Sequence, residues 1–142
     1  MLLGQFIAKV ATKNRIAVPA KFRQELGQTL IVSQGFESSL IILSKSRWLE
    51  LVEEATIGPF TAKEVRDISR FLLAGAVEVE LDDQGRFVLP GSLKNAAAIG
   101  KTAVFIGLWR WVELWDLRLW QRYSQNLTKI GGKLAQKLKD LK

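Results

Sequence analysis

The sequence predicts an α+β fold, mainly β with short helices, in which one small domain occurs twice. The first observation is a repeat: Asn14–Pro19 (NRIAVP) matches Gly85–Pro90 (GRFVLP), and the match continues in the same order for about fifty residues. The second observation is that short apolar segments alternate with turn residues in each copy. A copy of this size buries little apolar surface alone, so we expect the two copies to pair.

Each copy begins with a strand, a turn and a second short strand. The first strands are predicted at Gln5–Val10 and Ala76–Leu81, and the second strands at Ile16–Val18 and Phe87–Leu89. The intervening turns end at Asn14 and Gly85, two residue types that adopt a positive φ angle at low cost. The pattern therefore places a tight turn at the same point of each copy.

A short helix follows the second strand of each copy. Pro19 and Pro90 end the strands, because proline cannot donate a hydrogen bond to a neighbouring strand, and proline fits well at the start of a helix. The helices are predicted at Ala20–Leu26 and Gly91–Ala98. Gly27 and Gly100 are their expected C-terminal caps.

Two further strands, joined near residues 34–38 and 108–110, complete each copy. Ser44 and Asp116 are natural N-caps for the helices that come next. Between the copies, Gly58-Pro59 breaks the chain, and Thr61–Glu64 (TAKE) has the spacing of a capping box, which predicts a helix through about Leu73. The resulting division is a first domain over residues 1–56, a connecting helix over 57–74, a second domain over 75–124 and a basic C-terminal helix or tail over 125–142.

The charge is basic and unevenly placed. The chain has 21 Lys and Arg against 14 Asp and Glu, a net charge of +7. Residues 1–35 contain five basic side chains and one acidic one, and residues 118–142 contain seven and one, whereas the segment between them is acidic. Such a balance favours a polyanionic partner such as nucleic acid, although a basic surface can also serve solubility alone.

Several classes of function are excluded or disfavoured by composition. The chain has no cysteine and no histidine, so disulfides, Cys/His zinc sites and a nucleophile–histidine relay are excluded. No stretch of eighteen apolar residues predicts a membrane span, and the first residues do not resemble a signal peptide. We expect a cytoplasmic, nucleoid-associated protein without a cofactor or a small-molecule substrate.

The candidate DNA contacts are basic side chains at and around the two turns. Lys13, Arg15 and Arg86 lie where a tight turn directs side chains away from the core. A planar guanidinium can bond two acceptors on guanine in the major groove, or hold a phosphate with two bonds. Three nearby cations are candidates for phosphate contacts: Lys9, Lys21 and Arg23. Ordinary solvated side chains would also fit these positions.

Several motifs resemble one known family. They are Leu3-Gly4, Lys13-Asn-Arg15 with Pro19–Arg23 (PAKFR), Arg70–Gly75 (RFLLAG), Asp82–Arg86 (DDQGR) with Pro90, Phe105–Gly107 (FIG) and Val112–Asp116 (VELWD). Together they cover nearly the whole chain and are similar to the MraZ family, whose two copies are AbrB-like swapped-hairpin domains. This resemblance implies two such domains in tandem, forming a pseudo-symmetric barrel, and subunits assembled into a ring-shaped homo-oligomer.

The same resemblance implies a function. It is that of a sequence-specific DNA-binding regulator of transcription, a repressor of the division and cell-wall gene cluster that contains its own gene. Proteins of this type read repeated guanine-rich boxes in double-stranded DNA through the turn arginines. The matching positions in this chain are Arg15, Asp82 and Arg86, with Lys13 beside Arg15.

One departure from the motif affects the first turn. The position that corresponds to Asp82 is occupied by Ala11. An aspartate there could accept hydrogen bonds from the turn or orient Arg15. Without it, the first turn is either looser or suited to a different base. Two alternatives stay open: the operator differs at the corresponding base, or the second turn carries more of the specificity.

Two other classes of function compete with DNA binding. One is an antitoxin-like module that neutralises a protein partner, although two complete copies and a short tail are unusual for such a module. The other is an enzyme that uses carboxylates alone, for which the candidates are Glu78, Glu80, Asp82 and Asp83.

The C-terminal region contains a tryptophan series and an amphipathic tail. Trp109, Trp111, Trp115 and Trp120 are expected in the core or in subunit contacts, with Trp109 the exposed exception. Residues 127–142 have leucines at helical spacing beside lysines. This tail could pack against a neighbouring subunit, add nonspecific affinity for DNA or lie on an anionic membrane surface.

Overall fold

A computed structural model describes residues 1–141 as strands and short helices in the predicted order. The elements are β1 (Leu2–Lys9), β2 (Arg15–Ala17), α1 (Ala20–Leu26), β3 (Thr29–Gln34), β4 (Leu40–Ser44), α2 (Lys45–Ala55), α3 (Lys63–Leu73), β5 (Val77–Glu80), β6 (Arg86–Val88), α4 (Gly91–Ala96), β7 (Thr102–Trp109), β8 (Val112–Asp116) and α5 (Leu117–Asp140). A tight turn at Thr12–Asn14, in which Lys13 and Asn14 have positive φ angles, joins β1 to β2. The α+β prediction is confirmed.

The two copies exchange strands in the larger sheet. Its order is β1-β7-β8-β4-β3-β5, so β1 of the first copy pairs with β7 of the second, and β5 of the second copy pairs with β3 of the first. If each strand is replaced by its counterpart in the other copy, the same order results in reverse. The sheet is therefore pseudo-twofold symmetric about the β8–β4 pair.

The register of the exchanged strands repeats the sequence alignment. Lys9 pairs with Thr102 in one half of the sheet, and Glu80 pairs with Thr29 in the other. These two pairs occupy equivalent positions in the two copies. The internal repeat therefore has a structural counterpart residue by residue, and the copies form one unit rather than two separate lobes.

The closed, pseudo-symmetric barrel implied by the family resemblance does not form over residues 1–141. The six-stranded sheet stays open, with β1 and β5 at its edges, and the short strands β2 and β6 pair only with each other. The physical reason is the five-residue loop after β1 and after β5. In each copy this loop directs the backbone out of the six-stranded sheet, so no strand connects the edge strand β1 to the edge strand β5.

The main core lies between the six-stranded sheet and the β2–β6 pair with α1 and α4. Ile16 and Phe87 pair with each other on the inner face of β2–β6 and are 1% and 3% exposed. Phe22 of α1 and Phe105 of β7 are fully buried in the same cluster. Burial of each such side chain contributes about 1.5–3 kcal/mol, which fixes how β2–β6 sits on the sheet.

The outer face of the sheet is covered by helices from both copies. Trp48 of α2 and Leu72 of α3 pack on the first copy's strands. Trp115 of β8 is buried under the start of α5, against Trp120 and Tyr123. This confirms the structural role expected for the tryptophans.

The remaining two tryptophans also have the predicted exposure. Trp111 is half-buried and packs against the α2–α3 cluster. Trp109 is the exposed exception, with 60% of its surface accessible.

Helix α5 continues through Gly131 and Gly132 to Asp140. No helix within residues 1–141 has the length and apolar character needed to cross a membrane.

Three of the predicted helix caps are confirmed and two are wrong. Gly27 ends α1 with a positive φ of 78°, and its N–H donates to the carbonyl of Arg23 at 2.9 Å. Ser44 and Asp116 accept hydrogen bonds from the backbone N–H groups of Arg47 and Leu119. Thr61 caps nothing, because α3 starts later, with Ala62 as its N-cap. Gly100 is not a cap either, since α4 ends at Ala96, four residues earlier, and Ala98 takes the left-handed conformation (φ 52°) after it.

Candidate nucleic-acid interface

The two predicted turns meet in one antiparallel ribbon made of β2 and β6. Arg15 pairs with Val88 and Ala17 pairs with Arg86. Directly paired residues point to the same side of a ribbon, so all four side chains lie on one face, opposite the buried Ile16 and Phe87. We call this outer side, formed by Arg15, Ala17, Arg86 and Val88, the ribbon face.

The ribbon face holds its two arginines close together. They are diagonal neighbours across the two strands, a relationship that sets Cα atoms roughly 7–8 Å apart. Arg15 is exposed, and the side chain of Arg86 is 36% exposed. Sequence reasoning predicted two separate loops, and the structure joins them into a single basic surface.

Each loop is tied to the strand of the other copy. The Val18 N–H donates to the carbonyl of Gly85 at 2.9 Å, and the Leu89 N–H donates to the carbonyl of Asn14 at 2.8 Å. These two bonds are equivalent under the pseudo-twofold symmetry. The positive φ angles predicted for Asn14 (59°) and Gly85 (74°) are confirmed, and they orient those carbonyls towards the partner strand.

Asp82 organises the second loop through both of its carboxylate oxygens. Oδ1 accepts hydrogen bonds from the backbone N–H groups of Gln84 and Arg86, each at 2.9 Å. Oδ2 accepts a bond from the guanidinium Nε of Arg86 at 3.0 Å. The backbone N–H of Arg86, then that of Gln84 and the guanidinium, lower the pKa of Asp82 below its usual value against a smaller opposing effect of desolvation. Asp82 therefore stays ionised and holds Arg86 in place.

The first loop has the same backbone closure without the carboxylate. The Ala11 N–H donates to the Arg15 carbonyl at 2.8 Å, as the Asp82 N–H does to the Arg86 carbonyl at 2.9 Å. Lys13 adopts a positive φ of 63° at the tip. Within residues 1–141, Arg15 has no ion-pair partner. Its guanidinium is therefore freer than that of Arg86.

The three cations predicted to contact phosphates, Lys9, Lys21 and Arg23, lie in two places. Lys9 and Lys21 line the same shallow cleft between β1 and the start of α1, and the Lys21 ammonium lies 6.0 Å from the centre of the Phe6 ring. Arg23, on the other hand, extends from α1 to the second loop and lies against Gly85. The structure thus separates Arg23 from the two lysines.

Sequence reasoning missed two residues of the ribbon face. Val88 is a large apolar residue that is 54% exposed, and Ala17 is exposed beside it. The signal was present in the strand parity, because side chains two apart in a strand share a face and Arg15 is two residues from Ala17. The ribbon face therefore combines two cations with an apolar centre.

Three of the four carboxylates proposed for catalysis, Glu78, Glu80 and Asp82, are engaged in structural contacts. Glu78 pairs with Lys45 at 3.4 Å, and Glu80 accepts a hydrogen bond from the Thr29 hydroxyl at 2.6 Å. Asp82 is used by its own loop. Residues 1–141 contain no group of three or more acidic side chains arranged to hold a metal ion.

Comparison with known proteins gives a consistent result over the full length. Two consecutive segments, residues 1–71 and 72–139, match the family described as MraZ protein, putative antitoxin-like. The Transcriptional regulator MraZ of Thermoanaerobacter sp. (strain X514) is 38% identical over 141 residues, 99% of each chain. The protein of that name from Caldanaerobacter subterraneus subsp. tengcongensis is 38% identical over 97% of this chain and 96% of its own.

A solved structure shows a weaker likeness. A protein of Pyrococcus horikoshii, solved in solution, covers 82% of this chain at 18% identity with a TM-score of 0.33, from which no shared fold follows. The relatives and the doubled family match are decisive. The chain belongs to the MraZ family.

Proposed function

We propose that this protein is a sequence-specific DNA-binding regulator of transcription and not an enzyme. The observation that carries the proposal is the ribbon face, where β2–β6 pairing sets Arg15 and Arg86 side by side on an exposed surface. The names of its relatives, Transcriptional regulator MraZ, support the same function.

The ribbon face suits direct reading of bases. The major groove of B-DNA admits a two-stranded β-ribbon, and arginine bonds both O6 and N7 of guanine. Arg15 and Arg86 are the proposed guanine readers, with Asp82 as the group that orients Arg86. Val88 and Ala17 would contact a thymine methyl between them. Short guanine-rich boxes are the operator that fits this arrangement.

Lysine side chains near the ribbon face supply affinity without sequence information. Lys13 at the tip of the first loop and Lys9 and Lys21 beside α1 are exposed and therefore available to phosphates. Neutralising phosphates releases counterions, so these contacts make binding fall steeply with salt. Arg23, held at the second loop, is the fourth proposed cation of the interface.

Repeated boxes require several ribbon faces, and we propose that a homo-oligomer, in the form of a ring, supplies them. Surfaces of opposite charge support a head-to-tail contact between subunits. The outer half of α5 exposes Leu134 and Leu138 among lysines, whereas α2 exposes Leu49 beside three glutamates, Glu50, Glu53 and Glu54. A head-to-tail contact closes into a ring when its rotation permits.

The biological role that follows is repression of its own gene cluster for division and cell-wall synthesis, exercised in the cytoplasm at the nucleoid. The division into residues 1–56, 57–74, 75–124 and 125–142 is retained as a proposal for the limits of the two copies, the connecting helix and the C-terminal segment. A second candidate, capture of a protein partner, is favoured only by the words putative antitoxin-like in the family description.

Binding to the DNA upstream of the gene tests the proposal. A gel-shift titration compares that duplex with a shuffled duplex of equal length and composition, and methylation of guanine N7 in the upstream duplex tests the base contacts. Selective binding that is lost on N7 methylation is expected. Equal binding to both duplexes would contradict DNA-sequence recognition. If a pull-down also yields a stoichiometric protein partner, capture of that partner replaces it as the function.

A further inference from the structure

Arg23 stands apart from the other cations around the ribbon face because it is packed against the backbone of a loop. A Cβ built on Gly85 would lie 2.6 Å from both Cδ and Cζ of Arg23 and nearer still to Nη1. Gly85 is consequently buried, although the three residues before it, Asp82, Asp83 and Gln84, are exposed. The guanidinium occupies the space that any other residue at position 85 would need.

This contact joins the two copies at the loop that carries Arg86. Arg23 belongs to α1 of the first copy, and Gly85 lies between Asp82 and Arg86 in the second. The carbonyl of Gly85 also accepts the bond from Val18, which ties the loop to β2. Arg23 therefore covers the segment whose conformation sets both the Asp82–Arg86 bond and the pairing of the ribbon.

The first loop has no equivalent arrangement. The residue that corresponds to Gly85 is Asn14, which has a side chain of its own, and the residue that corresponds to Arg23 is Lys94. A lysine over Asn14 would have to share that space with the Asn14 side chain. The two loops are thus unequal in two respects, since only the second has the carboxylate and only the second has a glycine covered by a guanidinium.

We infer that Arg23 is a positioning residue for base reading by Arg86, and that it makes the second loop the rigid reader and the first loop the adaptable one. This inference rests on the proposed function. Arg23 acts by holding the Asp82–Arg86 loop, and a contact with phosphate alone does not account for its place over Gly85. Removing it should affect the discrimination between DNA sequences more than the affinity for DNA in general.

The test measures binding to the upstream duplex and to a shuffled duplex for Arg23→Ala, Arg23→Lys and the matched control Lys94→Ala. Arg23→Ala is expected to weaken binding to the upstream duplex by about 10-fold more than binding to the shuffled one. Arg23→Lys should show the same preferential loss of binding to the upstream duplex, because an ammonium group cannot cover Gly85 as the planar guanidinium does. Lys94→Ala should leave the ratio of the two affinities unchanged.

A double-mutant cycle with Gly85→Ala checks the path of the effect. The added methyl group displaces Arg23, so Arg23→Ala should cost little more in that background. An equal loss on both duplexes, or a full additional loss in the Gly85→Ala background, would overturn the inference and leave Arg23 a phosphate contact. Thermal unfolding of each variant establishes that it is folded.

A readout without DNA separates this inference from the proposed function. The backbone amides of Gln84, Gly85 and Arg86 are all hydrogen-bonded to Asp82. Their hydrogen exchange should become at least about 10-fold faster in Arg23→Ala than in Lys94→Ala. Unchanged exchange would refute the positioning role even if the protein binds its promoter, whereas faster exchange without selective binding would refute only the proposed function.

Discussion

Arg15 and Arg86 come from different copies of the repeat and lie as diagonal neighbours on the ribbon face, because Arg15 pairs with Val88 and Arg86 with Ala17. Their surroundings differ. Arg86 is bonded to Asp82 at 3.0 Å, and the equivalent position in the first loop is Ala11. One chain therefore presents one fixed and one freer guanidinium on a single surface.

Replacing either arginine should weaken selective binding. Arg15→Ala and Arg86→Ala are each expected to cost roughly 1–3 kcal/mol on the upstream duplex, since each removes one of the proposed bidentate base contacts. Fluorescence anisotropy with upstream and shuffled duplexes measures the difference. Lys21→Ala is the control and should weaken both duplexes alike and lower the salt slope by about 1. The base-reading role fails if Arg15→Ala and Arg86→Ala weaken binding to both duplexes alike, as Lys21→Ala does.

Asp82 should contribute stability that disappears in acid. Its folded-state pKa lies below the unfolded value of about 3.9, so the contribution is fully present above that value and is lost as the pH falls through the folded pKa. Asp82→Asn keeps an acceptor oxygen but removes the charge. The melting temperature of the wild type should exceed that of Asp82→Asn near neutral pH, and the difference should shrink below about pH 4.

Thermal unfolding followed by circular dichroism between about pH 2 and pH 6 checks this behaviour. The comparison with Asp82→Asn is needed because Lys63 and Arg70 lower the pKa of Asp67 as well, so the wild type alone reports two carboxyls. A difference that stays constant through the acid range would mean that the charge of Asp82 does not support the fold.

Restoring the missing carboxylate should fix the first loop. In Ala11→Asp, the new side chain can accept bonds from the loop N–H groups and from Arg15, as Asp82 does in the second loop. A gain of about 0.5–1.5 kcal/mol in unfolding free energy is expected from one such bond. Thr12→Asp adds the same charge at the position equivalent to Asp83 and should give no gain. Urea titration measures both, and equal effects would contradict the equivalence of the two loops.

The strand exchange can be tested at Gly107. A Cβ there would lie 2.6 Å from the backbone N of Leu3 and 2.7 Å from the carbonyl carbon of Leu2, so Gly107→Ala must push β1 away from β7. A loss of about 1–3 kcal/mol is expected from overpacking. Gly131→Ala in α5 meets no neighbour and should raise helix content instead. Equal stability of Gly107→Ala and the wild type would contradict the β1–β7 pairing.

Local elements were predictable because their signals are local. The turn residues Asn14 and Gly85, the prolines before α1 and α4, and the caps Ser44 and Asp116 act through neighbours in sequence. Predictions failed where longer-range packing set the boundary. Thr61 has the right spacing for a cap, yet Ala62 takes that position, and a left-handed Ala98 replaces the expected Gly100.

The arrangement of the site was less predictable, because it depends on which strands pair. The alternation in β1 suits β3 of its own copy as well as β7, since β3 and β7 are equivalent strands, so only the family resemblance pointed to exchange. The side-by-side placement of Arg15 and Arg86 follows from that exchange. The cover of Arg23 over Gly85 joins residues of different copies and has no signal in either segment alone.

The most direct test of the account is a gel-shift titration of the upstream duplex against shuffled competitor, for the wild type and for the Arg15→Ala/Arg86→Ala double variant. The account predicts that the wild type binds the upstream duplex selectively and that the double variant, still folded, binds both duplexes equally and weakly. If the double variant retains the selectivity of the wild type, the ribbon face is not the surface that reads DNA.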